Sequence, residues 1–152
     1  SNSGNIVLIH NGIIENYASI KEALIGRGFT FHSETDTEVL VNLIEDIKQS
    51  GNTTLEVAVR TALKQVVGAY AIVVVSKDEP NQFVVAKMGS PLVIGLGDGE
   101  YFVASDATPF LEFTKKVVYL EDGEMAVVDL NHGLKLSTIH DNESINPYVQ
   151  QL

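Results

Sequence analysis

The hydrophobic and polar positions along the chain change their period about halfway, from a helical pattern to an extended one. An apolar run at residues 6–9 opens the first half and predicts a buried strand. Three stretches follow with apolar residues three and four positions apart, a spacing that predicts amphipathic helices. These stretches are 16–25, 36–49 and one that follows the capping sequence 53–56 and reaches about residue 66.

From residue 68 onward, short apolar runs alternate with turn sequences that contain glycine, asparagine and aspartate. The runs are rich in β-branched residues, which favour strands, and the turn residues favour hairpins. The predicted strands are 69–75, 82–87, 92–96, 101–104, 117–120 and 125–130, with at most a short helix at 106–113. Helices followed by hairpin-linked strands predict an α+β fold with antiparallel sheets.

Composition narrows the class of protein. With 152 residues, 45% of them hydrophobic, the chain is long enough for one domain with a core. Its formal charge of −10 argues against nucleic acid and anionic membranes as partners. No apolar run has the length of a membrane span, and no signal peptide opens the chain, so we expect a cytoplasmic protein.

The chain contains no cysteine, so it has neither a thiolate metal site nor a cysteine nucleophile. The four histidines are dispersed without ligand spacing, and we predict no metal site. The glycine-rich stretch 95–99 lacks the following helix and the lysine of a phosphate-binding loop. It is therefore interpreted as a hairpin turn, and we predict no cofactor.

Two short polar motifs carry the candidate chemistry. In the first, Asn11 and Gly12 follow the apolar run, which we expect to end in a turn at this point. A carboxamide beside an unhindered backbone N–H also supplies two donors of the kind that stabilise an oxyanion. In the second, Thr35 and Glu38 form a capping box, and this leaves Asp36 as a single carboxylate in the first turn of a helix.

These motifs, with their spacing, resemble the glutaminase domain of the glutamine–fructose-6-phosphate aminotransferases. That family belongs to the class II, N-terminal-nucleophile glutamine amidotransferases. The resemblance covers most of the chain and fades after about Ser137. It rests on residues 10–17, 33–38, 68–71, 89–97, 104–106 and 119–124. It implies a four-layer αββα sandwich with antiparallel sheets.

The resemblance also implies roles for particular residues. Asn11 and Gly12 would donate to the oxyanion formed from the glutamine side chain, and Asp36 would bind the α-ammonium group. The further partners implied are sugar-isomerising domains that follow the glutaminase domain. We expect residues 1–140 to belong to the glutaminase domain and 141–152 to begin the linker. His10 is interpreted as structural.

The nucleophile of the family is an N-terminal cysteine, which this chain lacks. We therefore expect an incomplete domain that begins inside the family sequence and is inactive alone. Ser1 precedes a different strand from the one that carries the family nucleophile, so we expect no catalytic role for it. Missing strands would leave sheet edges uncovered and favour self-association.

Two alternatives remain at this point. One is a noncatalytic module of the same fold that binds an amino acid or a partner. The other is a fragment of a different class II amidotransferase, such as an amidophosphoribosyltransferase.

Overall fold

The structure is a computed structural model that describes residues 1–152. It contains three α-helices: α1 (Tyr17–Gly26), α2 (Asp36–Gly51) and α3 (Leu55–Leu63). The strands are β1 (Ile6–Ile14), β2 (Gly68–Ser76), β3 (Gln82–Met88), β4 (Val93–Leu96), β5 (Tyr101–Ala104), β6 (Lys116–Tyr119), β7 (Glu124–Asp129), β8 (Gly133–Thr138), β9 (Ser144–Ile145) and β10 (Gln150–Gln151). None of the helices has the length and apolar character that a membrane crossing requires.

The strands form two antiparallel sheets. The larger sheet has the order β1-β2-β3-β7-β8-β9, and the smaller one has the order β10-β6-β4-β5. Strand β1 lies at the edge of the larger sheet and pairs over its whole length with β2. The candidate oxyanion residues therefore lie on an edge strand.

Side chains of the larger sheet alternate between two cores because successive residues of a strand point to opposite faces. Ile72 and Val84 belong to the core beneath the three helices. Ala71 and Val85, one residue away in each strand, belong to the core between the two sheets. The observed layers are thus helices, sheet and sheet, which confirms the predicted α+β sandwich.

The fourth layer is thin. The helix predicted at 106–113 is a single 3-10 turn, Thr108–Phe110, which packs on the outer face of the smaller sheet. Asp106 lies one residue before the N-cap position, Ala107, and its carboxylate accepts a hydrogen bond from Thr108 N–H, the first N–H of the turn, at 2.7 Å.

The predicted turn at Asn11 and Gly12 is wrong, because β1 continues through both residues to Ile14. Gly12 has a φ of +115°, and a Cβ atom there would overlap the carbonyl oxygen of Ala69 on β2. The local preference of Asn-Gly for a turn is overridden by pairing with a strand more than fifty residues away. Glycine is required here because the two backbones approach so closely.

The C-terminal segment contributes to both sheets. Strand β9 pairs with β8 in the larger sheet, and β10 pairs with β6 in the smaller one. Polarity alone did not suggest these two-residue strands. The domain boundary at residue 140 stays a prediction.

Candidate functional site

Backbone hydrogen bonds fix the orientation of β1 relative to β2. Lys77 N–H donates to the carbonyl of Asn5 at 2.8 Å, and Glu15 N–H donates to the carbonyl of Val67 at 2.7 Å. The register between these bonds is continuous. Because bonded and non-bonded positions alternate in an antiparallel pair, the odd-numbered residues of β1 direct their backbone groups at β2. The even-numbered residues direct theirs at the free edge.

Gly12 is one of these even-numbered residues, so its N–H points away from β2. The Asn11 side chain lies on the face of the sheet opposite the helices, where it is exposed and makes no hydrogen bond within the chain. A carboxamide and a backbone N–H thus lie next to each other at an open edge. These are the two donors that the sequence suggested.

The start of α2 is built by local capping. The Thr35 side chain accepts a hydrogen bond from Glu38 N–H at 3.3 Å, as predicted. Glu38 does not return this bond to Thr35; its carboxylate accepts from the N–H groups of His32 and Ser33 instead. Burial opposes ionisation of Glu38, but these hydrogen bonds outweigh it and hold its pKa below the ordinary value. The cap fixes the position of the next residue, Asp36.

Asp36 joins α2 to the free edge of β1. Its Oδ2 accepts a hydrogen bond from Ile14 N–H at 2.7 Å. The side chain is still 22% exposed, so the carboxylate remains accessible to a ligand. Gly12 and Ile14 are two residues apart on the same edge, which corresponds to about 7 Å along a strand. The structure therefore brings Gly12 and Asp36 to one edge, although they are far apart in sequence.

His10 lies beside this carboxylate. Its side chain is only 1% exposed, and its Nδ1 is 3.1 Å from Thr37 Oγ1 and 3.8 Å from Asp36 Oδ1. Its Nε2 is buried without a hydrogen-bond partner. Burial lowers the pKa of His10, and the attraction of Asp36 only partly offsets this effect. The imidazole is therefore neutral at physiological pH. Like Ile6 and Ile14, His10 is an even-numbered residue of β1, and this spacing in the sequence places its side chain on the face that packs against the helices.

The sequence assigned no role to Tyr70, but its position in the pairing of β1 with β2 indicates one. It lies directly opposite Gly12 and is almost fully buried. An aromatic side chain across from a glycine on an edge strand covers the surface that the glycine leaves bare. Burial raises the pKa of Tyr70 to about 12, so its hydroxyl stays protonated at neutral pH.

Ser1 lies at the other end of β1. Its hydroxyl donates to Glu45 Oε1 at 2.6 Å, and its amino group donates to the carbonyl of Ile6 at 3.0 Å. Ile6 and Asn11 are five residues apart, which is about 17 Å along a strand. Ser1 is thus outside reach of the two oxyanion donors.

The remaining surface near Gly12 is open. Five cavities of the structure lie elsewhere, and none of these five is lined by Asn11, Gly12 or Asp36. No three carboxylate or imidazole groups lie close enough together to hold a metal ion. The arrangement supplies hydrogen-bond donors and one carboxylate on a surface, without walls around them.

Comparison with known sequences identifies similar proteins. The sequence model of the glutamine amidotransferase domain family matches residues 1–112. A glutamine–fructose-6-phosphate aminotransferase of Chlorobaculum tepidum is 64% identical over 127 residues, which are 83% of this chain and 21% of that protein. The corresponding protein of Bacteroides thetaiotaomicron is 50% identical over all 152 residues, 25% of its own length. The chain thus spans between a fifth and a quarter of these relatives.

Comparison with solved structures gives a related result. A glutamine phosphoribosylpyrophosphate amidotransferase from B. subtilis superimposes with a TM-score of 0.77 at 31% sequence identity. The match covers 94% of this chain and 31% of that one. A second structure, described as the allosteric regulatory enzyme of purine biosynthesis, gives a TM-score of 0.75 at 32% identity and covers 94% of this chain and 30% of its own.

Proposed function

Because the chain belongs to the glutamine amidotransferase domain family, we propose that it is the glutamine-holding part of a glutamine–fructose-6-phosphate aminotransferase. The parent protein would take ammonia from glutamine and use it to make glucosamine 6-phosphate from fructose 6-phosphate. The observation that carries the proposal is the shared edge of β1, which presents Gly12 N–H and the Asp36 carboxylate on one line.

The spacing on this edge suits glutamine. In extended glutamine the α-nitrogen and the side-chain carbonyl oxygen are about 6 Å apart, estimated from bonds of about 1.5 Å. The Gly12 and Ile14 N–H groups are separated by a similar distance of about 7 Å. An ammonium group at Asp36 would therefore leave the carbonyl oxygen close to Gly12. A shorter amide substrate would not reach both groups.

In this proposal the roles follow from charge. Asp36 binds the α-ammonium through a charge-assisted hydrogen bond worth about 1.5–3 kcal/mol. Asn11 and Gly12 donate to the carbonyl oxygen, which gains negative charge as the tetrahedral intermediate forms. None of the three supplies a nucleophile, and the chain has no cysteine that could serve.

We expect the chain by itself to be inactive for this reason. The parent protein would supply the N-terminal cysteine and the sugar-isomerising domains that receive the ammonia. An aminotransferase is preferred over an amidophosphoribosyltransferase because a glutamine–fructose-6-phosphate aminotransferase is 64% identical to this chain. The two solved structures are only 31–32% identical. A cytoplasmic location fits this metabolic role.

Strand β1 also exposes an apolar face. Val7, Ile9 and Ile13 are 58%, 69% and 68% exposed, on the side of the sheet opposite the helices. Together with the free backbone edge, this surface would associate with further strands of the parent protein. In the isolated chain we expect it to drive self-association.

The proposed function is tested by measuring glutamate release from glutamine. The assay compares this chain with the full-length protein of its gene, and with Asp36→Ala and Asp46→Ala introduced into the latter. Asp46 is a matched control because it lies on the same helix and pairs with Arg27 at 2.9 Å, away from β1.

We expect activity only in the full-length protein. Loss of the charge-assisted bond at Asp36 should raise the KM for glutamine at least tenfold. The Asp46→Ala variant should have the same KM as the unmutated full-length protein. Lack of glutaminase activity in the full-length protein would contradict the proposal and favour a noncatalytic binding module. Activity of the short chain would contradict the inactivity of the fragment.

A further inference from the structure

The proposed function leaves one buried polar side chain at the site unexplained. We propose that His10 is a positioning residue that orients the Asp36 carboxylate for an ammonium group while leaving its negative charge uncompensated. This inference rests on the proposed function, because it assigns to Asp36 the binding of the α-ammonium of glutamine.

The geometry limits what His10 does. Its Nδ1 is the ring atom that faces polar groups, 3.1 Å from Thr37 Oγ1 and 3.8 Å from Asp36 Oδ1. Asp36 Oδ2 is already fixed by Ile14 N–H. The imidazole therefore lies against the second carboxylate oxygen, the one that the backbone leaves free. With 1% of its side chain exposed, His10 does not itself reach a ligand in solvent.

The same contacts assign the tautomer. A neutral imidazole carries one N–H and one acceptor nitrogen. With the proton on Nδ1, the N–H points toward Thr37 and the carboxylate, which attracts it. With the proton on Nε2, a buried N–H would have no acceptor, and the Nδ1 lone pair would face a negative charge. The hydrogen-bond network therefore favours the proton on Nδ1.

A neutral donor at this position has a consequence that a cation would not have. Lysine or arginine within 4 Å of Asp36 would neutralise the carboxylate and compete with the ammonium group of the ligand. Burial lowers the pKa of His10, so the imidazole orients the carboxylate without this competition. The negative charge stays available until a ligand brings a positive one.

The arrangement has a cost that separates this role from a purely structural one. The buried Nε2 without a partner destabilises the fold, because a buried polar atom loses its bonds to water. Leucine would remove this unpaired atom together with the Nδ1 contact to Thr37, so the two effects on stability oppose each other. We therefore expect His10→Leu to impair binding of the ammonium group out of proportion to any change in stability.

The test uses the full-length protein with His10→Leu, His10→Asn and His10→Gln. Asparagine places an amide N–H where Nδ1 lies, whereas glutamine places it near the position of Nε2, away from Asp36. Two competitive inhibitors of the glutaminase reaction are compared: L-glutamate, which carries the α-ammonium, and glutarate, which lacks it. Thermal unfolding of each variant is recorded in parallel.

We expect His10→Leu and His10→Gln to weaken L-glutamate about tenfold, because the Asp36 carboxylate loses the attraction of the Nδ1–H dipole 3.8 Å away, and to leave glutarate within twofold. His10→Asn should keep L-glutamate within about threefold of the parent. The KM for glutamine should follow L-glutamate, and kcat should change less than KM.

Equal weakening of both inhibitors would overturn the inference, and so would unchanged binding of L-glutamate in the leucine variant. If that variant fails to fold, equal affinities in the asparagine and glutamine variants would contradict the inference instead. Asp36→Ala separates the two proposals. If it leaves L-glutamate binding unchanged, the assignment of Asp36 fails; if it weakens binding and His10→Gln does not, only the role of His10 fails.

Discussion

Replacing Gly12 with alanine tests the close approach of β1 and β2 most directly. The added Cβ would overlap the carbonyl oxygen of Ala69 and lie 2.9 Å from its carbon and 3.0 Å from Tyr70 Cα. All three are backbone atoms, so no side-chain rotation relieves the contact. The strands must separate, or Gly12 must leave its φ of +115°.

The magnitude has two parts. A non-glycine residue held at such a φ costs about 1–3 kcal/mol. Separating the strands weakens hydrogen bonds beside Gly12, each worth about 0.5–1.5 kcal/mol, and loosens the packing of Tyr70. We therefore expect Gly12→Ala to lower the free energy of unfolding by about 3–5 kcal/mol. At about 2–4 °C per kcal/mol for a domain of this size, Tm should fall by roughly 10 °C.

Gly99→Ala is the matched control. Gly99 also has a positive φ, +69°, but a Cβ there would meet no atom within 4 Å. Its replacement measures the cost of a positive φ without the steric overlap. Urea unfolding of the three proteins gives both parts. If Gly12→Ala costs no more than Gly99→Ala, the argument from close approach is refuted.

Two further predictions concern the N-terminal segment and the edge strand. Glu45→Gln should cost about 1–3 kcal/mol at pH 7, because Glu45 accepts bonds from Ser1 and Ser3. Burial opposes the ionisation of Glu45, but those bonds outweigh it and lower its pKa below 4.5. The stabilisation is therefore present above pH 4.5 and lost as the pH falls through the lowered pKa. Urea unfolding at pH 7 and pH 3 measures this loss, and an equal loss at both pH values would contradict the prediction. Ile9→Lys should reduce the self-association of the isolated chain, measured by light scattering, because Ile9 lies on the exposed face of β1. Val57→Lys, on the exposed face of α3, should not reduce it. Equal effects of the two substitutions would argue against β1 as the contact surface.

Local sequence signals predicted the elements whose formation depends on nearby residues. Helix α2 begins at Asp36 because Thr35 caps it, and both residues were identified from their spacing. Strand β5 has the predicted bounds because turn sequences precede it and three of its four residues are aromatic or β-branched. In each case the deciding contacts lie within a few residues of the chain.

What escaped prediction depends on contacts between distant segments. The continuation of β1 through Gly12 is decided by β2, and the bond from Ile14 N–H to Asp36 joins residues 22 positions apart. His10 was interpreted as structural, and its contact with Thr37 is visible only once α2 is packed on β1. The candidate residues were therefore found individually from the sequence, while their arrangement needed the fold.

The bonds at the two ends of β1 restrict how another strand adds to it. Ser1 Oγ accepts from Ile6 N–H at one end, and Asp36 accepts from Ile14 N–H at the other. Of the outward N–H groups, only those of Leu8, His10 and Gly12 remain for a new neighbour. An added strand would therefore form a short ladder in the middle of β1, and open-ended growth of the sheet into fibrils is disfavoured because both ends of the edge are already blocked.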